Sequence, residues 1–543
     1  MAKRKKFVLL GTMAIALFVL TACSNKENNN NSGTQNITKA GTYEFSGDIN
    51  GSIVVDAGKK DEITLVLNGV NLKSEDDAAI KILEAKKVTI TLEDGSKNII
   101  EDAEQRNVSQ TSDSENGETD FDAVIYSKAD LYLNGTGELE ITGNYGDGIA
   151  GKDSVYIEEG TYRVQSAKHG IMGKDYLEIQ GGTFEINCEK DSFHSNGDFV
   201  IQKGSFLVEC GDDAFHAETA LKIEDGTLDI VRCNEGLEGE SVTISGGEIS
   251  VVSSDDGINA ASSEETTETN NQRENPFEVN SDNEIRIEGG SVYINAEGDG
   301  MDSNGSIVVT GGTVEVDGSE NGGNGALDYG GTFDVSGGSV IAVGASNMAQ
   351  GISNSSSVYG IMMTCDTQIS ANVPIVLEDE QGEVIRYTPA KKYNNIVIAD
   401  ARLEEGKSYT LKIGDDISVT FTISATMTYL DKNGITEGQN GMNGGWGNGG
   451  KRDNFDKNQL PDNITKEELP QGMEMPEGMV KPDGTWKPED MELPEGMELP
   501  EGMVKPDGTW KPEDMELPEG MEKPDTMKHP VNAENLETTE ENS

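Results

Sequence analysis

No tryptophan precedes Trp446, and the only others are Trp486 and Trp510. Aromatic residues make up 6% of the chain and apolar residues 34%, too few for a conventional globular core of 543 residues. Basic residues are scarce as well: 42 Lys and Arg face 99 Asp and Glu, a net charge of −57. That balance excludes the basic face which nucleic-acid binding needs. It also argues against attachment to anionic lipid by charge. With 5 cysteines and no C-x-x-C, nothing suggests a thiolate metal site. The longest apolar run, Phe7–Leu20, is too short to span a bilayer, which takes ~20 residues. What is abundant is glycine, at 65, and carboxylate oxygen, which suits divalent cations and calcium above all. Glycine in this number favours a turn-punctuated β architecture.

The two ends differ from the middle. Lys3, Arg4, Lys5 and Lys6 precede the apolar run, which closes in Leu20-Thr21-Ala22-Cys23. This is the pattern of an export signal whose terminal Cys is acylated after cleavage. It predicts a chain anchored by lipid on Cys23 at the extracellular face of the cell membrane, followed by a polar tether. Past Leu430 come 12 of the 15 prolines, and Glu477–Pro494 recurs unchanged at Glu501–Pro518. Isolated apolar residues among prolines cannot build a core, so this tail is expected to be a solvated spacer or a contact element for a partner.

The middle is one repeat. Gly181-Gly-Thr-Phe-Glu-Ile186 is echoed by Lys203-Gly-Ser-Phe-Leu-Val208, Asp225-Gly-Thr-Leu-Asp-Ile230 and Gly246-Gly-Glu-Ile-Ser-Val251, and on to Gly337-Gly-Ser-Val-Ile-Ala342. The corner glycines 160, 182, 204, 226 and 247 return every 22 or 21 residues. Three short period-2 strands and three turns per return make one coil of a parallel β-helix. About a dozen coils are predicted, with Phe184, Ile186 and Phe193 inward. Cys188 and Cys210 fall at the same place in consecutive coils, within reach of a disulfide or stacked as thiols. Arg232 is placed in that inward column, with Cys233 one position off. From Asp366 the repeat stops, and Ile375–Leu377, Asn395–Ile398, Ser408–Ile413 and Ser418–Ile423 read as a small antiparallel domain capping the open strand edges. The predicted division is a lipoprotein signal over 1–22, a tether over 23–39, the β-helix over 40–365, the cap over 366–430 and the disordered tail over 431–543.

Nine residues after each corner glycine stands a polar column: His169, Asp191, Asp213, Glu235, Asp256 and Asp299, with Asp147 one residue out of step and Asp122 as a further member. Three residues later a second column runs His194, His216, Glu238, Asn259, Asp302 and Asp328, while Asp212 and Asp255 double the first. Acids one rung apart, ~4.8 Å, repel unless something lies between them. A calcium ion, with oxygen ligands at ~2.3–2.6 Å, fits that gap. The predicted calcium ligands are Asp191, Asp212, Asp213, Glu235, Asp255, Asp256, Asp299 and Asp302. His194 and His216 break the second column and are predicted to face a groove or to hydrogen-bond the acids, with Glu238 and Asn259 continuing their line. The two histidines offer zinc as a competing metal, and Asp with Gly also makes an ordinary corner that needs no ligand. Insertions at 101–121 and 262–282 flank this edge and are read as groove walls or loops.

The coils with their Gly-Gly corner and Asp-Gly-apolar edge, together with Tyr387-Thr-Pro-Ala-Lys-Lys-Tyr-Asn-Asn-Ile-Val-Ile398 and Leu403-Glu-Glu-Gly-Lys-Ser-Tyr-Thr-Leu411, resemble a family of secreted bacterial carbohydrate-binding β-helix proteins. The resemblance covers roughly residues 40–425 and implies a right-handed parallel β-helix, calcium, and affinity for plant-type or acidic polysaccharide. The expectation is therefore a lipid-anchored, calcium-dependent polysaccharide-binding protein that is not an enzyme. Without tryptophan in the coils, sugar contact falls to Tyr and Phe or to cations. Two alternatives stand: an adhesin acting through its tail, and a calcium-dependent lyase with Arg232, Lys168 or Lys190 as the base.

Overall fold

The computed structural model describes residues 31–104, 122–262 and 279–437, and every regular element among them is a β-strand. The signal segment, Cys23, the interiors of both insertions and the repeats of the tail lie outside the described residues.

Three parallel ladders wind around one core. In one, Thr161–Ser166, Thr183–Cys188, Ser205–Cys210, Thr227–Cys233 and Glu248–Ser253 stack in parallel, in register save for one slip within Thr227–Cys233, and Phe184 lies against Phe206 one coil on. The ladder that bears the polar columns contains twelve strands, from Gln35–Ile37 to Leu327–Tyr329. The predicted solenoid is therefore the fold, but its bounds shift: Gln35–Ile37, read as tether, already pairs with Ile53–Asp56, and Gly434–Ile435, read as tail, pairs back on Leu430 and Asp431. Alternation explains its interior: in Thr183–Cys188 the residues Phe184, Ile186 and Cys188 are buried while Thr183, Glu185 and Asn187 are exposed. Identical positions then stack. Phe184 and Phe206 lie 4.8 Å apart at 5°, and Phe193 and Phe215 lie 5.1 Å apart at 7°.

The corner glycines are required by backbone geometry. Gly226 has φ +132°, and a Cβ there would meet the Gly204 carbonyl oxygen at 3.0 Å and its nitrogen at 3.2 Å. Neither neighbour is a flexible side chain that can swing away. Gly226→Ala is expected to destabilise the fold by about 1–3 kcal/mol, read from the urea midpoint. An unchanged midpoint would mean that these corners tolerate a side chain.

Two readings of the coils are corrected. Arg232 is not inward. Val208 pairs with Ile230 but Glu209 pairs with Arg232, so the strand bulges at Val231. The bulge turns Val231 and Arg232 to solvent, sets Arg232 Nε 3.0 Å from Glu209 Oε1 and returns Cys233 to the core. A lone guanidinium in a dry interior costs several kcal/mol, on the order of 3–5 once unpaired, and one extra residue avoids it. Asp122 is also out of column, because Ala123 is the residue opposite Asp147, which is itself in step. As for the thiols, Cys188 and Cys210 are register partners and both are free.

The cap closes the last coil by strand addition. Ser339–Gly344 pairs antiparallel with Tyr393–Asp400, which pairs with Tyr359–Ile369. The predicted strand Asn395–Ile398 thus extends the solenoid's own sheet. Ile375–Asp379, Gly382–Tyr387, Ser408–Ile413 and Ile417–Thr422 form a separate four-stranded sheet. The Tyr387–Lys391 segment docks the cap on the coils. Fully buried Asp317 accepts hydrogen bonds from Tyr387 Oη at 2.7 Å and the Ala390 N–H at 2.8 Å. Lys391 Nζ donates to the Ala296 carbonyl at 2.6 Å. A buried carboxylate with several donors is strongly satisfied, which fixes this junction.

Candidate functional site

The polar edge is built from below by a repeated small donor. Ser166, Cys188, Cys210 and Ser253 occupy one inward ladder just before the turn. Each gives its hydrogen to a turn carbonyl: Ser166 Oγ to His169 at 2.9 Å, Cys188 Sγ to Lys190 at 3.1 Å, Cys210 Sγ to Asp212 at 3.3 Å and Ser253 Oγ to Asp255 at 3.0 Å. These groups would otherwise be orphaned inside the corner. The cysteines therefore serve as turn donors.

Above them the first column works as a ladder of its own. Asp147 Oδ1 accepts the N–H of His169 at 3.0 Å, Asp191 Oδ1 that of Asp213 at 3.2 Å, and Asp256 Oδ1 that of Asp299 at 2.6 Å. Asp299 Oδ1 likewise accepts the Gly325 N–H. One oxygen of each aspartate thus joins consecutive coils, and the other is free to face outward. For these four aspartates turn chemistry explains half of the carboxylate and leaves the other half to be explained.

That second half divides the edge into chemically distinct stretches. At the N-terminal end His194 Nδ1 lies 2.7 Å and His169 Nδ1 3.3 Å from Asp191 Oδ2. Burial would raise the Asp191 carboxyl, but the two imidazoles hold it below the usual carboxylate range. One coil on, His216 Nδ1 sits 3.0 Å from Asp213 Oδ2 and 2.6 Å from Glu238 Oε2. Against a burial that disfavours its charge, these acids push His216 up to about 10. Burial raises Asp213, while against its own burial the hydrogen bond from His216 holds Glu238 down. His194 and His216 also stack on each other with centroids 4.7 Å apart.

In the middle, Asn259 Nδ2 donates to Glu235 Oε2 at 2.9 Å. Burial and the neighbouring acids Glu238, Asp213 and Asp256 push Glu235 up to about 8. At the C-terminal end Asp256, Asp299 and Asp302 bring one oxygen each within 4.8 Å of the others. Burial first and then repulsion from neighbouring acids, Asp255 and Asp328 as well as members of the trio, push them up to about 6, 7 and 8 respectively. Asp328 continues that column opposite Asp302 and accepts from Gln350 Nε2 at 2.9 Å.

The structure brings together six of the eight predicted ligand residues: Asp191, Asp213, Glu235, Asp256, Asp299 and Asp302. Asp212 and Asp255 stay out of these groups. Asp212 pairs with Lys190 Nζ at 3.3 Å, and Asp255 faces solvent. Side chains alternate across the edge, so the residue beside an inward-leaning acid leans away. His169 joins the site although it stood outside the predicted ligand set. Its place in the first column, nine residues after Gly160, was the available signal.

Residues 31–274 match the family model described as carbohydrate-binding domain-containing protein. A relative of that name from Acetivibrio thermocellus is 39% identical over 131 residues, 24% of this chain. The chain spans 44% of that relative's length. A solved structure, the gadolinium derivative of a polysaccharide lyase-like protein from C. thermocellum, is 26% identical and matches over 49% of this chain and 85% of its own, with a TM-score of 0.31. A superposition that loose says nothing about chemistry. The family resemblance is borne out by the sequence match for the coils within residues 31–274, and the segment Tyr387–Leu411 lies outside that match.

Proposed function

We propose that this chain, a β-helix matching the carbohydrate-binding family over residues 31–274, binds polysaccharide without turnover, through divalent cations held on its acidic edge. The observation that carries the reading is the trio Asp256, Asp299 and Asp302: three converging carboxylates, none ion-paired to Lys or Arg among the described residues. The donor set suits calcium, a hard cation that takes 6–8 oxygens. With Oδ1 of Asp256 and Asp299 engaged by backbone, each keeps one oxygen, to which Asp302 adds its own. This supports a shell completed by water or by the ligand. The cation would supply a bridge, because an edge of this charge otherwise repels a uronate. His194, His216, Glu238 and Asn259 would border the glycan's path along the second column. The export pattern ending in Cys23 supports a lipid anchor that holds the edge at the cell surface.

Each of the three cations weighed as a lyase's base is engaged. Arg232 pairs with Glu209, Lys168 Nζ lies 2.7 Å from Asp122, and Lys190 pairs with Asp212. This supports binding over elimination.

The test is retention on insoluble plant and acidic polysaccharides, with calcium and with chelator. Retention in calcium that chelator abolishes is expected, unchanged by Arg232→Ala and by deletion of residues 438–543. Failure to hold any glycan in calcium sinks the reading. Loss on tail deletion alone would move the function to the tail.

A further inference from the structure

Three of the chain's four histidines, His169, His194 and His216, stand together at one end of the acidic edge, and the fourth is His529. We propose that His169, Asp191 and His194 form a site for a borderline transition cation of the zinc class, separate from the all-oxygen trio at Asp256, Asp299 and Asp302. The idea goes beyond the proposed glycan role and does not rest on it.

Both imidazoles turn Nδ1 toward the same carboxylate oxygen, at 2.7 and 3.3 Å, and the three ligand atoms lie within 4.8 Å of one another. Zinc bonds nitrogen and oxygen at about 2.0–2.2 Å in a tetrahedron, so its ligands stand about 3.3–3.5 Å apart. A modest adjustment of the trio admits the ion. Two nitrogens and one carboxylate with a fourth position left open is a recurrent zinc set.

A second observation is independent of the spacing. Nδ1 of His169 is buried on a side chain that is 24% exposed, and its one close contact is the long 3.3 Å approach to Asp191 Oδ2, which falls short of a well-formed hydrogen bond. A buried polar nitrogen so weakly satisfied is costly, up to the order of 1–3 kcal/mol, and a metal would supply a full partner. The carboxylate is already oriented for the task. Asp191 is 4% exposed, and its other oxygen is held by the Asp213 N–H at 3.2 Å, an outer contact of the kind that aims metal ligands. The neighbouring trio Asp191, Asp213 and His216 contains only one imidazole and suits zinc less well. Beyond it the second column changes to Glu238, Asn259 and Asp302, so nitrogen gives way to oxygen along a single edge. Imidazole selects zinc over calcium, and carboxylate with carbonyl selects the reverse.

The experiment titrates the full chain, stripped with chelator, with Zn2+ by calorimetry in excess Ca2+, and with Co2+ by visible absorption. One saturable zinc per chain is expected, with the absorption of tetrahedral nitrogen-ligated cobalt. His169→Gln with His194→Gln is expected to weaken zinc binding about a hundredfold or more and to erase the cobalt bands. Asp302→Asn and His529→Ala are expected to leave both unchanged. Asp191→Asn, which preserves shape, is expected to weaken zinc about tenfold and serves if the double variant does not fold. No saturable zinc or no tetrahedral cobalt spectrum in the unmodified chain overturns the proposal. So does zinc uptake that survives Asp191→Asn unchanged, or that disappears with His529→Ala.

Discussion

Phe193→Ala is expected to lower the stability of the coils by about 3–5 kcal/mol, among the largest effects that one core substitution produces. Phe193 is fully buried where two stacks meet. It lies parallel to Phe215 at 5.1 Å and meets Phe184 and Phe206 edge-on, each at 5.6 Å. Removing the ring takes away its transfer free energy and leaves a cavity that strands on three sides cannot close. Each lost aromatic pair adds about 0.5–1.5 kcal/mol. In a solenoid the coils contact only their neighbours, so the loss should concentrate in the coils on either side. Hydrogen exchange should show Thr183–Cys188 and Ser205–Cys210 opening earlier than the distant coils. The outward Leu207, 44% exposed on the strand beside Phe206, supplies the contrast. Leu207→Ala is expected to stay within about 0.5 kcal/mol of the unmodified chain. Equal effects at the two positions would mean that the inside and outside of these strands have been assigned wrongly.

That contrast also shows which parts of the molecule the sequence reveals. Phe184, Phe206, Phe193 and Phe215 were legible because a period of two along each strand and a strict 22-residue return fix both face and register. Corner glycines with positive φ mark the return. Legibility failed where the count slipped. The bulge at Val231 adds one residue to its strand, and counting from Gly226 therefore assigns Arg232 to the interior that Cys233 occupies. Desolvation of a guanidinium settles that choice, and a period count contains no energy of that kind. The cap's join to the last coil was hidden for another reason: Tyr393–Asp400 is apolar along most of its length and pairs with distant strands on both sides. The columns of the edge were visible, but not the division of work within each aspartate between a backbone N–H and an outward oxygen. Asp212 and Asp255 looked equal to their neighbours until side-chain direction separated them.

The other large effect should come from removing divalent cations. In chelator the melting temperature is expected to fall, and to fall further at pH 8 than at pH 5. The sign follows from the C-terminal trio. Burial and repulsion from neighbouring acids raise Asp256, Asp299 and Asp302 to about 6, 7 and 8, against about 4 for an unfolded aspartate. The groups that face them are acids, Asp255, Asp328 and Glu238, together with neutral Asn259. Between pH 4 and pH 8, roughly, the folded chain without cations holds more protons than the unfolded one, so its stability declines as pH rises through that window. Each tenfold change in proton affinity corresponds to about 1.4 kcal/mol; discounted for solvent at half-buried groups, the trio should cost about 2–4 kcal/mol at pH 8. Calcium between the carboxylates replaces repulsion with attraction, so in its presence the decline should flatten. Asp302→Asn with Asp299→Asn removes two of the charges. It is expected to raise the melting temperature in chelator at pH 8, and to remove most of the gain that calcium gives the unmodified chain. Both changes are needed, because either acid left alone still repels Asp256. A chelated protein whose melting temperature matches the calcium form from pH 5 to pH 8 would reduce the trio to ordinary corner residues, with solvent screening their charge.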